Sequence, residues 1–208
     1  MKIKVCGMRE PENIKALEKL KVNMLGFIFY KQSPRFVEVF PNLEIICSLK
    51  PSIIKTGVFV NADYLFIKEK VNKYKLDIIQ LHGDESPGFC EKTADLATVM
   101  KAFRIDEGFD FSVTKRYEPF SDYFLFDTKN RDYGGTGIRF DWSILNNYKG
   151  KKPFLLSGGI TPEDAPLIKT IINPKMLGID INSGFEIMPG LKNIDLIETF
   201  LNNFSCNF

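Results

Sequence analysis

Cys6 and Asp127 are the residues whose chemistry stands out first. In KVCGMRE, residues 4–10, Cys6 ends a short β-branched run and is followed by glycine and charges. In DYFLFDT, from Asp122, Asp127 ends a second apolar run. A thiol ionises near pH ~8.5 unless neighbouring positive charge favours the thiolate, and a carboxyl keeps its proton at neutral pH only when partly desolvated. A thiol and a carboxyl facing one ligand could therefore divide the work of general base and general acid. Residue type alone leaves a second reading open for each: the cysteine as a small buried hydrophobe, the aspartate as a helix cap.

Two glycine-bearing stretches suggest an anion. LLSGGITPED places Gly158 and Gly159 after an apolar run and before Thr and Pro, and DINSGFE supplies Asp180, Asn182, Ser183 and Gly184 after the next run. Paired glycines let backbone N–H groups approach a phosphate without a Cβ in the way, and a following helix adds its positive dipole end. In KQSPRFV, Ser-Pro makes a rigid turn that would aim Arg35, whose fork suits a planar carboxylate. QLHGDE adds Gln80 and His82. A hydrogen-bonded structural histidine is the first reading of His82 and a supporting contact in the site the second. KNRDYGGTGIRFDW, from Lys129, is glycine-rich enough to serve as a mobile cover beside Asp127, and Asp141 is placed to cap a helix after it.

These groups need elements to position them. Eight short apolar runs recur along the chain: IKVCG, MLGFIFY, IIKTGVFVN, DIIQLHG, TVMKAFRI, DYFLFDT, PFLLSGG and MLGIDINSG. Between them lie amphipathic stretches such as PENIKALEKL, PNLEIICSL, ADYLFIKEKVNKY, FSVTKRYEPF, DWSILNNY, TPEDAPLIKTII and IDLIETFLNNF, with apolar residues near helical spacing. Strands apolar at nearly every position are covered on both faces, as in a parallel sheet, and eight βα units close naturally into a (β/α)₈ TIM barrel. An open doubly wound sheet is the alternative, but no G-x-G-x-x-G follows the first strand. In a barrel the chemistry sits at the carboxyl ends of the strands, and loops seven and eight commonly hold a phosphate. Strands six, seven, eight and one are consecutive, so Asp127 and Cys6 would flank that phosphate.

Composition narrows the partners. A chain of 208 residues fits one domain, residues 1–208. With 28 basic and 26 acidic residues, a formal charge of +2 and no sustained basic run, it gives no reason to expect nucleic acid. The amino terminus, MKIKVCGMREPEN, is broken by charge before a secretory core could form, and no segment reaches membrane-spanning length; a cytoplasmic protein is expected. Cys6, Cys47, Cys90 and Cys206 lack any C-x-x-C spacing and read as reduced thiols. With His82 the single histidine, no His-rich metal centre is expected. A monomer is the expected state, since one barrel can carry both the acid and the base.

Taken together, KVCGMR, LGFIFYKQSPRFV, GVFVN, IIQLHGDE, LFDTK, GGTGIRFDW, LSGGITPED and GIDINSGFEIMPG, in this order from near residue 3 to near residue 192, resemble the phosphoribosylanthranilate isomerases of tryptophan biosynthesis. The resemblance implies an Amadori rearrangement of N-(5-phosphoribosyl)anthranilate to 1-(2-carboxyphenylamino)-1-deoxyribulose 5-phosphate without metal or organic cofactor. It implies Cys6 as general base, Asp127 as general acid and Arg35 facing the anthranilate carboxylate. Gly158, Gly159, Asp180, Asn182, Ser183 and Gly184 would surround the phosphate and ribose, and Gln80 and His82 are counted with the substrate contacts. The alternatives are another phosphate-binding barrel isomerase or synthase, and a non-catalytic phosphate-binding barrel. A synthase acting on the next intermediate would be expected to show lysine and glutamate at strand ends, and the second alternative would be expected to lack the acid or the base.

Overall fold

The eight apolar runs form eight strands: β1 (Lys2–Val5), β2 (Met24–Ile28), β3 (Ile54–Phe59), β4 (Ile78–Leu81), β5 (Thr98–Ile105), β6 (Tyr123–Thr128), β7 (Phe154–Ser157) and β8 (Met176–Ile181). The structure, a computed structural model, describes residues 1–40, 43–128 and 141–205. Each strand pairs in parallel with the next, and β8 pairs with β1 through Lys4 opposite Asp180 and Val5 opposite Ile181, so the sheet closes. This is the (β/α)₈ barrel, and the open sheet is excluded. A short antiparallel pair, β9 (Glu186–Met188) and β10 (Leu191–Lys192), comes after β8.

Helices α1 (Pro11–Leu17), α2 (Leu43–Ser48), α3 (Tyr64–Tyr74), α4 (Pro87–Ala94), α5 (Ala165–Ile168) and α6 (Ile194–Ser205) lie between or after the strands. Local chemistry starts two of them: the Asp63 carboxylate accepts from the Phe66 N–H at 2.9 Å, and the Ser86 hydroxyl from the Phe89 N–H at 3.2 Å. Three expected helices are tighter or shorter. FSVTKRYEPF forms 3₁₀ turns over Phe111–Arg116 and Glu118–Phe120, DWSILNNY one over Trp142–Asn147, and TPEDAPLIKTII a 3₁₀ turn over Pro162–Asp164 before the four-residue α5. The first and second share a cause. Asp110 and Asp141 each accept from both the N–H and the hydroxyl of the serine two residues on, at 2.6 to 2.9 Å, and such Asx turns tighten the chain at its entry. The expected cap at Asp141 is therefore present, although the element it starts is not an α-helix.

These tight segments cover β6 with aromatic rings. Phe126 lies 5.3 Å from Phe111, 5.2 Å from Tyr148 and 5.1 Å from Phe154 between ring centres. That packing fixes the strand from outside, one residue from Asp127. Inside the barrel a separate cluster holds Met24, Ile78, Met100, Ala102, Leu125 and Leu155. Alternation in a strand puts residues two apart on one face, so the interior continues upward from these side chains as Gln80 above Ile78, Asp127 above Leu125 and Ser157 above Leu155. The barrel axis is thus apolar below and polar towards the carboxyl ends of the strands.

Leu125 is fully buried in the interior layer, whereas Leu65 on α3 is largely exposed. Leu125→Ala is expected to cost about 2–5 kcal/mol in urea unfolding. Leu65→Ala should stay within about 0.5 kcal/mol. Equal effects would show that the interior layer does not carry the packing assigned to it.

Candidate active site

Asp127 reaches the mouth of the barrel on β6, where its Oδ2 lies 3.1 Å from His82 Nε2. His82 extends the β4 ladder by one step, its backbone N–H donating to the Phe59 carbonyl at 2.8 Å. Gln80, two residues back and therefore on the same face, places its amide nitrogen 2.7 Å from His82 Nδ1. An amide N–H donating to Nδ1 puts the proton of a neutral ring on Nε2, which then donates to Asp127. Gln80 is fully buried, so it stands behind His82 and not at the open surface. His82 is hydrogen bonded at both ring nitrogens, and one of its partners is Asp127.

Cys6 faces Asp127 from the other side of the mouth. Its N–H donates to the Ile181 carbonyl at 2.9 Å, and the Met8 N–H donates to the Gly26 carbonyl at 2.9 Å, so the turn after β1 is tied to both neighbouring strands. Directly below Cys6 on the same face is Lys4, fully buried, with Nζ 2.9 Å from Asp180 Oδ2. Burial works against the Lys4 ammonium, yet Asp180 and the neighbouring Cys6 sulfur together hold its pKa above the ordinary value. Burial likewise keeps the Asp180 carboxyl above its usual range, against the pull of Lys4. Asp180 Oδ1, itself buried, has no hydrogen-bond partner among the described residues.

Loop two delivers Arg35 to this same side. The Arg35 N–H donates to the Ser33 hydroxyl at 3.1 Å within the Ser-Pro turn, and its Nε and Nη2 donate to the Glu186 carboxylate at 2.6 to 3.0 Å. Glu186 also accepts from Lys192 Nζ at 2.7 Å and the Gly190 N–H at 3.0 Å. Burial raises the Glu186 carboxyl, but Arg35, Lys192 and Gly190 outweigh it and hold the group below the usual range. Lys192 additionally donates to Asn182 Oδ1 at 2.6 Å. Arg35, Glu186, Lys192 and Asn182 therefore form one connected rim.

Between acid and base lie the glycine loops. Gly158 and Gly159 have φ of +89° and +68°, left-handed values that disfavour any residue with a Cβ. They turn the chain after β7, and the Gly158 carbonyl accepts from the Thr128 hydroxyl at 3.1 Å. Gly184 packs against the Ile160 carbonyl, bringing loops seven and eight together. The expected helix after Gly159 offers less than foreseen. Asp164 Oδ2 already accepts from the Thr161 N–H at 2.7 Å, and the element behind it is a single 3₁₀ turn.

Each candidate that could be read from the sequence thus lies at one end of the barrel. Lys4, Lys192 and Glu186 were missed. Lys4 left one signal, a charge between the apolar Ile3 and Val5 of a buried strand; the other two stand in EIMPGLK without a local pattern to mark them. The glycine-rich segment 129–140 and Cys206 lie outside the described residues. Among the described residues, no helix is long and apolar enough to cross a membrane.

The model of the N-(5'-phosphoribosyl)anthranilate isomerase family matches residues 3–203. The N-(5'-phosphoribosyl)anthranilate isomerase of Parabacteroides distasonis is 53% identical over 203 residues, covering 97% of this chain and 92% of that protein. The crystal structure of the Thermotoga maritima phosphoribosyl anthranilate isomerase superposes with a TM-score of 0.89 at 31% identity, covering 99% of each chain. A further phosphoribosyl anthranilate isomerase structure, in complex with reduced 1-(o-carboxyphenylamino)-1-deoxyribulose 5-phosphate, superposes with a TM-score of 0.85 at 29% identity and 99% coverage of each chain. With a thiol and a carboxyl set on either side of paired glycine loops in a closed barrel, this chain belongs to the phosphoribosylanthranilate isomerase family.

Proposed function

We propose that this chain converts N-(5'-phosphoribosyl)anthranilate to 1-(2-carboxyphenylamino)-1-deoxyribulose 5-phosphate, with Asp127 as general acid and Cys6 as general base. The observation that carries this assignment is the placement of the two groups. Asp127 stands on a histidine at one side of the glycine loops, and Cys6 on a buried lysine at the other. The complex of the related isomerase with a reduced product supports a ligand of the same kind here.

The reaction begins with proton transfer to the furanose ring oxygen, which opens the sugar to a Schiff base. His82 Nε2–H occupies Asp127 Oδ2, so the transferable proton sits on Oδ1, away from the histidine. Removal of the C2 proton by the Cys6 thiolate then gives an enolamine, which tautomerises to the ketone. The N–H groups around Gly158, Gly159, Ser183 and Gly184 are assigned to the phosphate, and Asp180 Oδ1 and Asn182 to the ribose. Glu186 engages Arg35 through Nε and Nη2, and this holds the Nη1 end of the guanidinium towards the anthranilate carboxylate. Gln80 is assigned to hold the His82 tautomer, and His82 to hold Asp127.

The whole chain, residues 1–208, is proposed to work as one barrel domain and as a monomer, because every assigned group comes from a single barrel. Free thiols at Cys6, Cys47 and Cys90 suit the reducing cytoplasm proposed for it. A one-chain mass in sedimentation equilibrium is expected, and a stable dimer would remove the monomer assignment.

The direct test follows anthranilate fluorescence as purified protein consumes the substrate; no consumption would refute the function. Cys6→Ser and Asp127→Asn should each lower turnover by at least about 10²-fold with the fold intact. Near-parental turnover in either would remove that residue from the mechanism. Arg35→Lys loses the fork and Glu186→Gln loosens its aim. Each should raise KM about tenfold with kcat less affected, the scale of a charge-assisted hydrogen bond. An unchanged KM in both would place the carboxylate elsewhere.

A further inference from the structure

A thiol that takes a proton from carbon must first lose its own, and burial opposes that loss. Cys6 is only 5% exposed, and burial pushes its thiol up. Two lysines, Lys4 and Lys192, pull the other way without fully offsetting burial, so in the free protein the thiol stays above its ordinary range. Both ammonium groups are sealed from solvent, where a charge acts more strongly than at a surface.

The connections around the sulfur can be followed group by group. Lys4 Nζ bonds Asp180 Oδ2 at 2.9 Å, and its positive charge and a negative charge on the Cys6 sulfur favour one another. On the neighbouring strand, β2 presents Gly26. A Cβ there would lie 2.8 Å from Cys6 Sγ and 3.2 Å from Lys4 Nζ, so the glycine leaves the space in which thiol and ammonium meet. From β10, Lys192 adds a second cation, bound in turn to Glu186, and Glu186 to Arg35. The cations of this cluster are Lys4, Lys192 and Arg35, and its carboxylates are Asp180 and Glu186. With each group at its ordinary charge, the cluster is one negative charge short until Cys6 ionises, although burial draws Lys192 below and Asp180 above their ordinary ranges. Asp180 opposes that ionisation, and Asp127 and His82 lie further across the barrel, beyond Asp180.

Resting on the assignment of Cys6 as base, we infer that Lys4, backed by Lys192, is a positioning residue that favours the thiolate of Cys6 over what burial alone would allow and aims it into the site. Asp180 lets Lys4 remain an ammonium despite full burial, and Lys4 passes that charge to the sulfur. Proton abstraction then moves the C2 proton to sulfur, turning the thiolate into a thiol while the C–H electron pair enters the enolamine. Lys4 keeps its own protons throughout.

The test is the pH profile of Cys6 alkylation by iodoacetamide, read on the Cys6 peptide by mass spectrometry and normalised to each variant's alkaline plateau. The pH profile of kcat/KM is recorded beside it, and circular dichroism checks folding. Removing a cation extends the protonated thiol to higher pH. Lys4→Met should therefore move the alkylation midpoint up by about one pH unit or more, leaving roughly tenfold less thiolate at neutral pH. The rate should recover as the pH rises. Lys192→Met should move the midpoint in the same direction by less, and Lys4→Arg, which keeps the charge, should stay near the parent. A role limited to sealing the barrel would lower stability without moving the midpoint. An unmoved midpoint in folded Lys4→Met, or in Lys192→Met should Lys4→Met not fold, overturns the inference. Near-parental turnover in Cys6→Ser would instead overturn the assignment of the base on which it rests.

Discussion

The bond between Lys4 and Asp180 joins residues 176 positions apart at the seam where the first strand meets the last. Everything at the mouth of the barrel depends on that seam being in register. A slip of β1 by one residue would turn Lys4 outward and leave the Asp180 carboxylate buried without its cation. Buried ion pairs add little net stability against an apolar replacement, because both charges are stripped of water. Their asymmetry is what matters here. The correct register satisfies both charges, and a slipped one strands a charge at a cost of several kcal/mol.

The seam also explains why the polar layer can exist inside a barrel at all. Met24, Ile78, Met100, Leu125 and Leu155 fill the interior below, and the helices and aromatic 3₁₀ turns cover the outside. Those two apolar layers supply the packing, which frees the inward positions near the strand ends for Lys4, Gln80, Asp127, Ser157 and Asp180. Gln80 to His82 to Asp127 on one side, and Asp180 to Lys4 to Cys6 on the other, are then short chains of contacts fixed by strands and not by loops.

The strands were legible because each is a short apolar run ending in Gly, Asn, Asp or Ser, and their number led to the closed barrel. The helices were legible only where the covering face is long. In FSVTKRYEPF and DWSILNNY the apolar spacing serves a 3₁₀ turn as well as an α-helix, and an aspartate bonded to a serine two residues on decides between them. Candidate residues at strand ends could be picked out from topology, and the resemblance supplied the roles they are proposed to play. Lys4 and Lys192 could not, because a lysine in a sequence reads as a solvated charge. What sets them apart is burial beside carboxylates from β8 and β9, distant in the chain from Lys4 and unmarked near Lys192. Gln80 and His82, two residues apart on one strand, carried the signal of a shared face, and that spacing is what the Gln80–His82 contact uses.

The two halves of the site differ in how wet they are, and the difference matches the chemistry asked of each. Asp127 and His82 keep 24% and 21% of their side-chain surface exposed, whereas Lys4, Asp180 and Lys192 are almost wholly enclosed. An acid that gives its proton to a ring oxygen must be reprotonated each cycle, and contact with solvent provides the route. A base that removes a proton from carbon gains from the opposite setting. Water around a thiolate would have to reorganise as its charge is neutralised, while ammonium groups already fixed by Asp180 and Glu186 need no such rearrangement. A dry sulfur with its cations held in place is therefore suited to the harder of the two proposed proton transfers, and a partly exposed carboxyl hydrogen bonded to His82 to the easier one.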